Sequence, residues 1–501
     1  MKLKALLSCC VFCLIMGAVG CGNQATSFSS KLAPTTNAQV AAYTVSSNKP
    51  GKVAVQFGLD TTYGLTTWTQ PVSQGGATTL LVAGMRANST YHMRAVVQFG
   101  DGTRFVDSDH TFTTGPGDPS QQATTLTAAI SPGKTPQSGM ELLTLVSGTA
   151  RPTVTDLSGN ILWTYTAVPN GTSPNPVKLL PNGHFLINFS AGTVDGLNSV
   201  IQEVDLSGAV IWQMTAADLN AALATATCAG CNITVVGTHH DFVFLPNGHL
   251  IVLAATQRDI SGTTVTGDVI IDLDENHQPV WLWNEFDHLD VTRQPMAFPD
   301  WTHTNAILYS ADDGNLIISI RHQNWLVKVD YANGTGAGDI LWKLGYQGDF
   351  TLVGGTDPVD WFYAQHGPSF VTTNTTGKFS LVLFDNGDDC VFSPGVICGN
   401  TGEPPCLYST VQILQIDETA MTATFTFHPT APSYSFFGGN AEVLANGNVE
   451  FCESAGLAGA AGVIYEVTQD SNAQTVWQMQ TTGLFAYRGQ RIPSLYPGVQ
   501  W

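Results

Sequence analysis

The sequence predicts an all-β chain, a small β-sandwich followed by a six-bladed β-propeller. Three observations carry that expectation. Only 12% of the 501 residues are charged while Gly numbers 50, a turn-rich composition with enough apolar residues for a core. Residues 37–115 alternate apolar and polar positions with the period of a strand. From about residue 122 onward, a turn motif and a Trp-ended motif recur in alternation.

The sandwich rests on runs such as Val53, Val55, Phe57 and Tyr91, Met93, Ala95, Val97, Phe99, which read as half-buried strands. Gly84-Met85-Arg86-Ala87-Asn88-Ser89-Thr90-Tyr91 resembles the corner of a fibronectin type III sandwich, where a Tyr hydroxyl caps a crossing turn. Gly115-Pro-Gly-Asp-Pro-Ser-Gln-Gln then reads as a linker.

The propeller, residues 122–501, rests on repetition. Leu180-Pro-Asn-Gly-His-Phe-Leu-Ile recurs as Leu245-Pro-Asn-Gly-His-Leu-Ile-Val, as Asp312-Asp-Gly-Asn-Leu-Ile-Ile and as Leu444-Ala-Asn-Gly-Asn-Val-Glu-Phe. Each is a tight Asn-Gly or Asp-Gly turn launching a strand. Asp156 through Trp163 is echoed by Asp205 through Trp212 and by Asp274 through Trp281, and more loosely before Trp342 and Trp477, with Phe425 or Phe427 taking the place once. That makes six units, each long enough for four strands, and radial closure would leave few free edges. His184 and His249 sit inside such turns and are expected to be structural.

The N-terminus has the form of an export signal: Lys2 and Lys4, an apolar run from Ala5 to Met16 too short to span a bilayer, and small residues before Cys21. Residues 1–20 are read as the signal and 21–36, rich in Ser, Thr, Asn and Gln, as a tether. Small residues before Cys21 resemble a bacterial lipoprotein box, with Cys21 lipidated; simple cleavage to a soluble periplasmic protein is the other reading. Gly22, in place of Asp, favours by that resemblance the periplasmic side of the outer membrane. Loss of Lys2 and Lys4 changes the balance of 19 basic and 39 acidic residues to 17 against 39, a net charge of −22. Nucleic acid is therefore a poor partner, and each Arg or His in a cleft gains weight as an anion holder.

Six cysteines follow Cys21: Cys228, Cys231, Cys390, Cys398, Cys406 and Cys452. In an exported chain structural bridges are the default. Cys228-Ala-Gly-Cys231 has redox or half-zinc spacing, but no second pair at metal spacing follows it. The pairing within the Cys390, Cys398 and Cys406 cluster stays open.

Three segments break the blade pattern alike: Thr238-His-His-Asp-Phe242, Asp300-Trp-Thr-His-Thr-Asn305 and Phe362-Tyr-Ala-Gln-His-Gly-Pro368. Equivalent inner strands of a propeller line one channel, so His240, His303 and His366 are expected to converge. Arg321 ends an apolar strand and needs an anionic partner. Three converging histidines would also suit zinc, but an arginine in the same shell would repel a divalent cation, so no metal is expected. Asp241 is expected to orient an imidazole.

His-His-Asp, Asp-Trp-x-His-x-Asn, Ser-x-Arg-His-Gln, and Gln-His followed by Phe384-Asp-Asn-Gly387 are similar in kind and order to the motifs of bacterial arylsulfate sulfotransferases, as is the stretch from Tyr487-Arg488 to Ser494-Leu-Tyr496. The resemblance covers both domains. It implies a ping-pong transfer of a sulfuryl group from an aryl sulfate to a phenol, with neither a nucleotide donor nor a cofactor. It further implies His366 as the nucleophile forming a sulfohistidine, and His240, His303 and Arg321 as holders of the sulfuryl oxygens. Asn305 and His239 are read as substrate-binding. Gly367-Pro-Ser after Gln-His departs from the more polar run expected there and leaves acceptor preference open. A homodimer paired through the sandwich is left open too. The competing class is a non-enzymatic, lipid-anchored propeller that acts as a binding or scaffold protein.

Overall fold

The computed structural model of the chain describes residues 27–118, 125–146, 150–190, 199–393, 396–397, 408–455 and 462–501. The expected signal, Cys21, Cys398 and Cys406 lie outside the described residues.

Alternation of apolar and polar side chains produces the N-terminal sandwich. One sheet pairs Phe28–Pro34 with Ala41–Ser47 and Ala41–Ser47 with Gly76–Val82; the other is built on Gly51–Gly58 against Thr90–Phe99. Val53, Val55, Phe57, Met93, Ala95 and Val97 share one core with Tyr43 and Val45. The Tyr91 hydroxyl accepts the backbone N–H of Arg86 at 3.0 Å, the corner its sequence context predicts. The stretch read as a tether behaves otherwise over Phe28–Pro34, an edge strand of this sandwich. Its Ser- and Lys-bearing composition reflects an edge with one wet face, which resembles a linker in sequence.

Among the described residues the rest of the chain forms six sheets of four or five strands in a propeller-like succession, antiparallel except where Thr351–Val353 joins Thr422–Phe427 in parallel at the edge of the fifth, and a small two-stranded sheet of Val391–Ser393 and Val396–Ile397. The second to fifth sheets each keep their antiparallel strands in chain order from the inner strand outward. The first and sixth are shared between the chain ends: Phe485–Ile492 adds the innermost strand to the first sheet through Met140–Val146, and Thr125–Ile130 adds the outermost strand to the sixth through Thr475–Thr482. Inner strands touch in turn, from Met140–Val146 through Ser173–Leu179, Val235–Phe244, Thr304–Ser310, His366–Thr375 and Asn440–Val443 back to Phe485–Ile492.

The two repeated motifs have distinct jobs. In the turns, Asn182, Asn247, Asp313 and Asn446 each accept the N–H two residues on through a side-chain oxygen, and the Gly between them takes a left-handed φ of +72° to +90°. His184 and His249 pair there with Glu203 and Asp272, the structural role expected of them. Tryptophans stitch every sheet but the fifth, which has Phe425 and Phe427 in that place, to the next. Indole N–H groups of Trp163, Trp281, Trp342 and Trp477 donate to Leu206 O, Gly336 O, Glu418 Oε1 and Leu157 O, each in the following sheet, and Trp212 stacks on His277 at 3.9 Å. Trp477 thereby ties the sixth sheet to the first.

The C-terminal segment joins the two domains. Tyr496 OH donates to Leu81 O and accepts from Ala83 N–H, and Trp501 Nε1 donates to Thr66 O. Cys228 and Cys231 form a disulfide. Cys390 and Cys452 are buried free thiols, and burial pushes the Cys390 thiol up to about 12.

Candidate active site

Local irregularity in three successive inner strands aims the histidines. Register shifts between Thr238 and Phe242, between Thr304 and Ala306, and between His366 and Ser369 interrupt the ladders where the chemistry-bearing residues stand. His240 and His303 take left-handed φ values of +51° and +49°, as does Ala364, two residues before His366, at +54°. Such backbone is costly for residues other than Gly and is held by its surroundings.

The expected convergence occurs. The His240 ring centre lies 4.9 Å from that of His303, and the Tyr487 ring lies 5.8 Å from His240 and 5.9 Å from His366. His366 is buried, its Nδ1 2.7 Å from Asn386 Oδ1 and 3.1 Å from Ala364 O, while Gly438 N–H donates to its Nε2 at 3.2 Å. Burial, with Arg321 nearby, holds the His366 imidazole well below its ordinary range, against the opposing pull of Asn386. Burial and the neighbouring His239 and His303 hold His240 below its range as well. Both rings are therefore neutral at neutral pH.

His303 has a different partner. Its Nδ1 stands 2.6 Å from Asp300 Oδ2, and its ring stacks on His322 with centres 4.6 Å apart. His322 Nδ1 lies 2.6 Å from Asp300 O, so Nδ1 carries the hydrogen and Nε2 accepts from Arg321 Nη1 at 2.5 Å. Burial, with His303 and Arg321 close by, keeps His322 neutral.

Arg321 is anchored at the far side of its fork. Nη2 donates to Asp388 Oδ2 at 2.8 Å and to Phe436 O at 3.1 Å, leaving a buried Nε without a hydrogen-bond partner among the described residues. Burial pushes Asp388 up to about 6 even with Arg321 beside it. Arg488 is held the same way, by Asn305 O at 2.7 Å and Asp241 at 3.4 Å, and its buried Nε and the Tyr487 hydroxyl have no hydrogen-bond partner among the described residues. The expected concentration of positive charge is thus present but tempered, because an aspartate accompanies each guanidinium.

Three residues stand elsewhere than expected. Asn305, read as substrate-binding, is fully buried and donates from Nδ2 to Gln365 O at 2.7 Å; it braces the residue preceding His366. His239 is buried behind His240, with Nδ1 2.7 Å from that ring and Nε2 3.0 Å from Asp268. Asp241 orients no imidazole. It pairs with Lys178 at 2.6 Å and with Arg488, because the bulge after Thr238 turns it toward the neighbouring sheets. The carboxylate doing the expected work is Asp300, three residues before His303. His322, Tyr487, Arg488, Asn386 and Asp388 were missed as site residues; all lie in or beside motifs, but only their positions in space reveal contact.

Asp300, His303 and His322 bring ligand-type atoms within 4.8 Å of one another, a spacing that suits a metal ion. The donor set does not. Arg321 occupies His322 Nε2 and sets a positive charge beside it, and His303 occupies Asp300 Oδ2.

Comparison with known proteins bears on the chemistry directly. The family profile Arylsulfotransferase (ASST) matches residues 129–488, which include every residue of this cluster. The chain belongs to the arylsulfotransferase family. Membership makes it a sulfotransferase that acts on small phenolic molecules. No curated protein matches the chain. Among solved structures it is similar to a protein from Lactobacillus plantarum (TM-score 0.38, 10% identity, covering 88% of this chain and 99% of that one). A putative 6-phosphogluconolactonase from Bacteroides uniformis gives 0.35, 10%, 89% and 100%, and a mutant apocarotenoid oxygenase from Synechocystis gives 0.34, 11%, 93% and 95%. The arylsulfotransferase assignment rests on the family match.

Proposed function

We propose that the chain moves a sulfuryl group from an aryl sulfate to a phenol by a ping-pong reaction through a sulfohistidine at His366. The observation that carries this reading is a buried, neutral His366 whose Nδ1 is engaged by Asn386 and whose ring packs edge-on to Tyr487, with Arg321 and His303 close by. A neutral imidazole nitrogen is a competent nucleophile near neutral pH.

In the first half-reaction the Nε2 lone pair attacks sulfur, an N–S bond forms, and the S–O bond to the aryl group breaks with its electrons on the phenolate. His303, protonated and held by Asp300, gives that oxygen its proton. In the second half, neutral His303 takes the proton of an acceptor phenol, whose oxygen attacks sulfur and returns the N–S pair to His366. Protons and charge balance over the cycle. His240 stays neutral and serves as a hydrogen-bonding wall. On this reading Arg321 meets the sulfuryl oxygens, which stay negative throughout, and the Gly438 N–H, released from Nε2 as the lone pair attacks sulfur, joins it. Phe436 is about half exposed at 48%, packs on Phe437 at 4.9 Å, and offers an apolar surface for the aryl group beside Arg321.

The same reading includes closure of the six sheets as six blades, export to the periplasm and anchoring through a lipidated Cys21. Release of 4-nitrophenol from its sulfate ester, faster when phenol is added, tests the activity. A chain that turns over no aryl sulfate would leave the binding-protein class in its place.

A further inference from the structure

We infer that the short segment Asp385–Asp388 is a single positioning strap that sets the nucleophile and the anion-holding guanidinium in register with each other. Asn386 and Asp388 are positioning residues on this account. The geometry stands independently of the sulfuryl-transfer reading; only the kinetic part of the test rests on that reading.

Asn386 makes the shortest of the contacts that set which nitrogen of His366 carries the hydrogen. Its Nδ2 donates to Ser435 O at 2.6 Å and to Gly438 O at 3.1 Å, and carbonyl oxygens can only accept. Both amide hydrogens are thereby used, so Oδ1 is left facing His366 Nδ1 at 2.7 Å as an acceptor. Ala364 O is a second acceptor at that nitrogen, and the Gly438 N–H is a donor at Nε2. All these contacts demand the same tautomer, with hydrogen on Nδ1 and the lone pair on Nε2.

The chemical type of the partner matters as much as its position. A carboxylate at Nδ1 would stabilise the imidazolium; a neutral amide orients the ring without charging it. The burial-driven depression of His366 is consistent with that arrangement.

One residue beyond Gly387, Asp388 performs the matching task for Arg321. Its Oδ2 accepts from Nη2 at 2.8 Å and its Oδ1 from Tyr434 OH at 2.5 Å, which fixes the plane of the fork. The strap is itself pinned. Asp385 accepts from Tyr363 N–H, Gly387 N–H and Thr410 Oγ1, and Ser409 Oγ donates to Asn386 O. Gly387 has φ of +79°, and a Cβ there would stand 2.2 Å from Tyr408 O, so only glycine passes.

The test uses the full chain labelled with nitrogen-15 at histidine, with the His366 signals assigned by their loss in His366→Ala. The expected wild-type pattern is a protonated Nδ1 and a bare Nε2. Asn386→Ala, with Asn386→Ser as the second variant should the first fail to fold, is expected to move the ring nitrogens toward averaged values, since only the longer Ala364 O contact remains at Nδ1, and to lower kcat by roughly 10²-fold. Asp388→Asn is expected to keep the tautomer while raising KM for an aryl sulfate. A wild-type proton on Nε2, or an unchanged tautomer in the folded Asn386 variants, overturns the strap. Correct tautomer signals in a chain without turnover uphold the strap and count against sulfuryl transfer, so the two failures are distinguishable.

Discussion

The Nδ1 atom of His303 lies 2.6 Å from Oδ2 of Asp300, the one carboxylate contact that the three converging histidines make among the described residues. On the proposed mechanism that pairing makes His303 the proton carrier. His303→Gln and Asp300→Asn are expected to lower kcat by roughly 10²–10⁴-fold with a poor leaving group. With 4-nitrophenyl sulfate, whose phenolate leaves unaided, the loss should be far smaller. Rates measured across a series of substituted phenyl sulfates check this: a steeper dependence on leaving group is predicted, and an unchanged slope contradicts it.

The acid limb of the first half-reaction should lie low. On the proposed mechanism His366 acts unprotonated, and burial beside Arg321 holds its pKa below the ordinary value of about 6.5. Activity therefore persists as pH falls through 6.5 and is lost only when His366 takes a proton. Burst amplitudes and rates followed from pH 8 to pH 5 read this directly.

Stability is expected to fall toward alkaline pH through Glu285. This carboxyl is fully buried beside Asp268 and accepts from Thr304 Oγ1 at 2.6 Å, and burial and Asp268 raise its pKa. The folded chain thus keeps a proton that the unfolded chain releases above about pH 4.3. The contribution is fully present below that value and lost as pH rises through the raised one. Glu285→Gln, which keeps an acceptor for Thr304, should flatten the dependence in thermal melts between pH 5 and 9.

Trp477→Phe should weaken the tie between the sixth and first sheets. It removes the indole N–H to Leu157 O, a contact spanning 320 residues, and part of a fully buried ring. A loss of about 1–3 kcal/mol is expected from denaturant melts.

Much of this molecule is legible in sequence because its repeats encode themselves. An Asn-Gly turn and a Trp each need a fixed local chemistry, so their recurrence announces the sheets, and the histidines that interrupt them announce the site. The rest depends on contacts that spacing does not encode. The bulge after Thr238 sends Asp241 away from the imidazoles, and the one at Thr304 buries Asn305 under Gln365. Asn386 and Asp388 reach His366 and Arg321 only because a left-handed glycine lies between them. The edge strand Phe28–Pro34 has the composition of a linker, and only its pairing with Ala41–Ser47 shows otherwise.

The central claim is that His366 Nε2 becomes covalently sulfurylated. Mixing the chain with excess 4-nitrophenyl sulfate, without acceptor, and mapping peptides by mass spectrometry under alkaline quench tests it most directly. The account predicts one sulfuryl group on the peptide carrying His366, absent from His366→Ala and discharged on adding phenol. Turnover with no adduct on that peptide, or turnover that survives in His366→Ala, would contradict it.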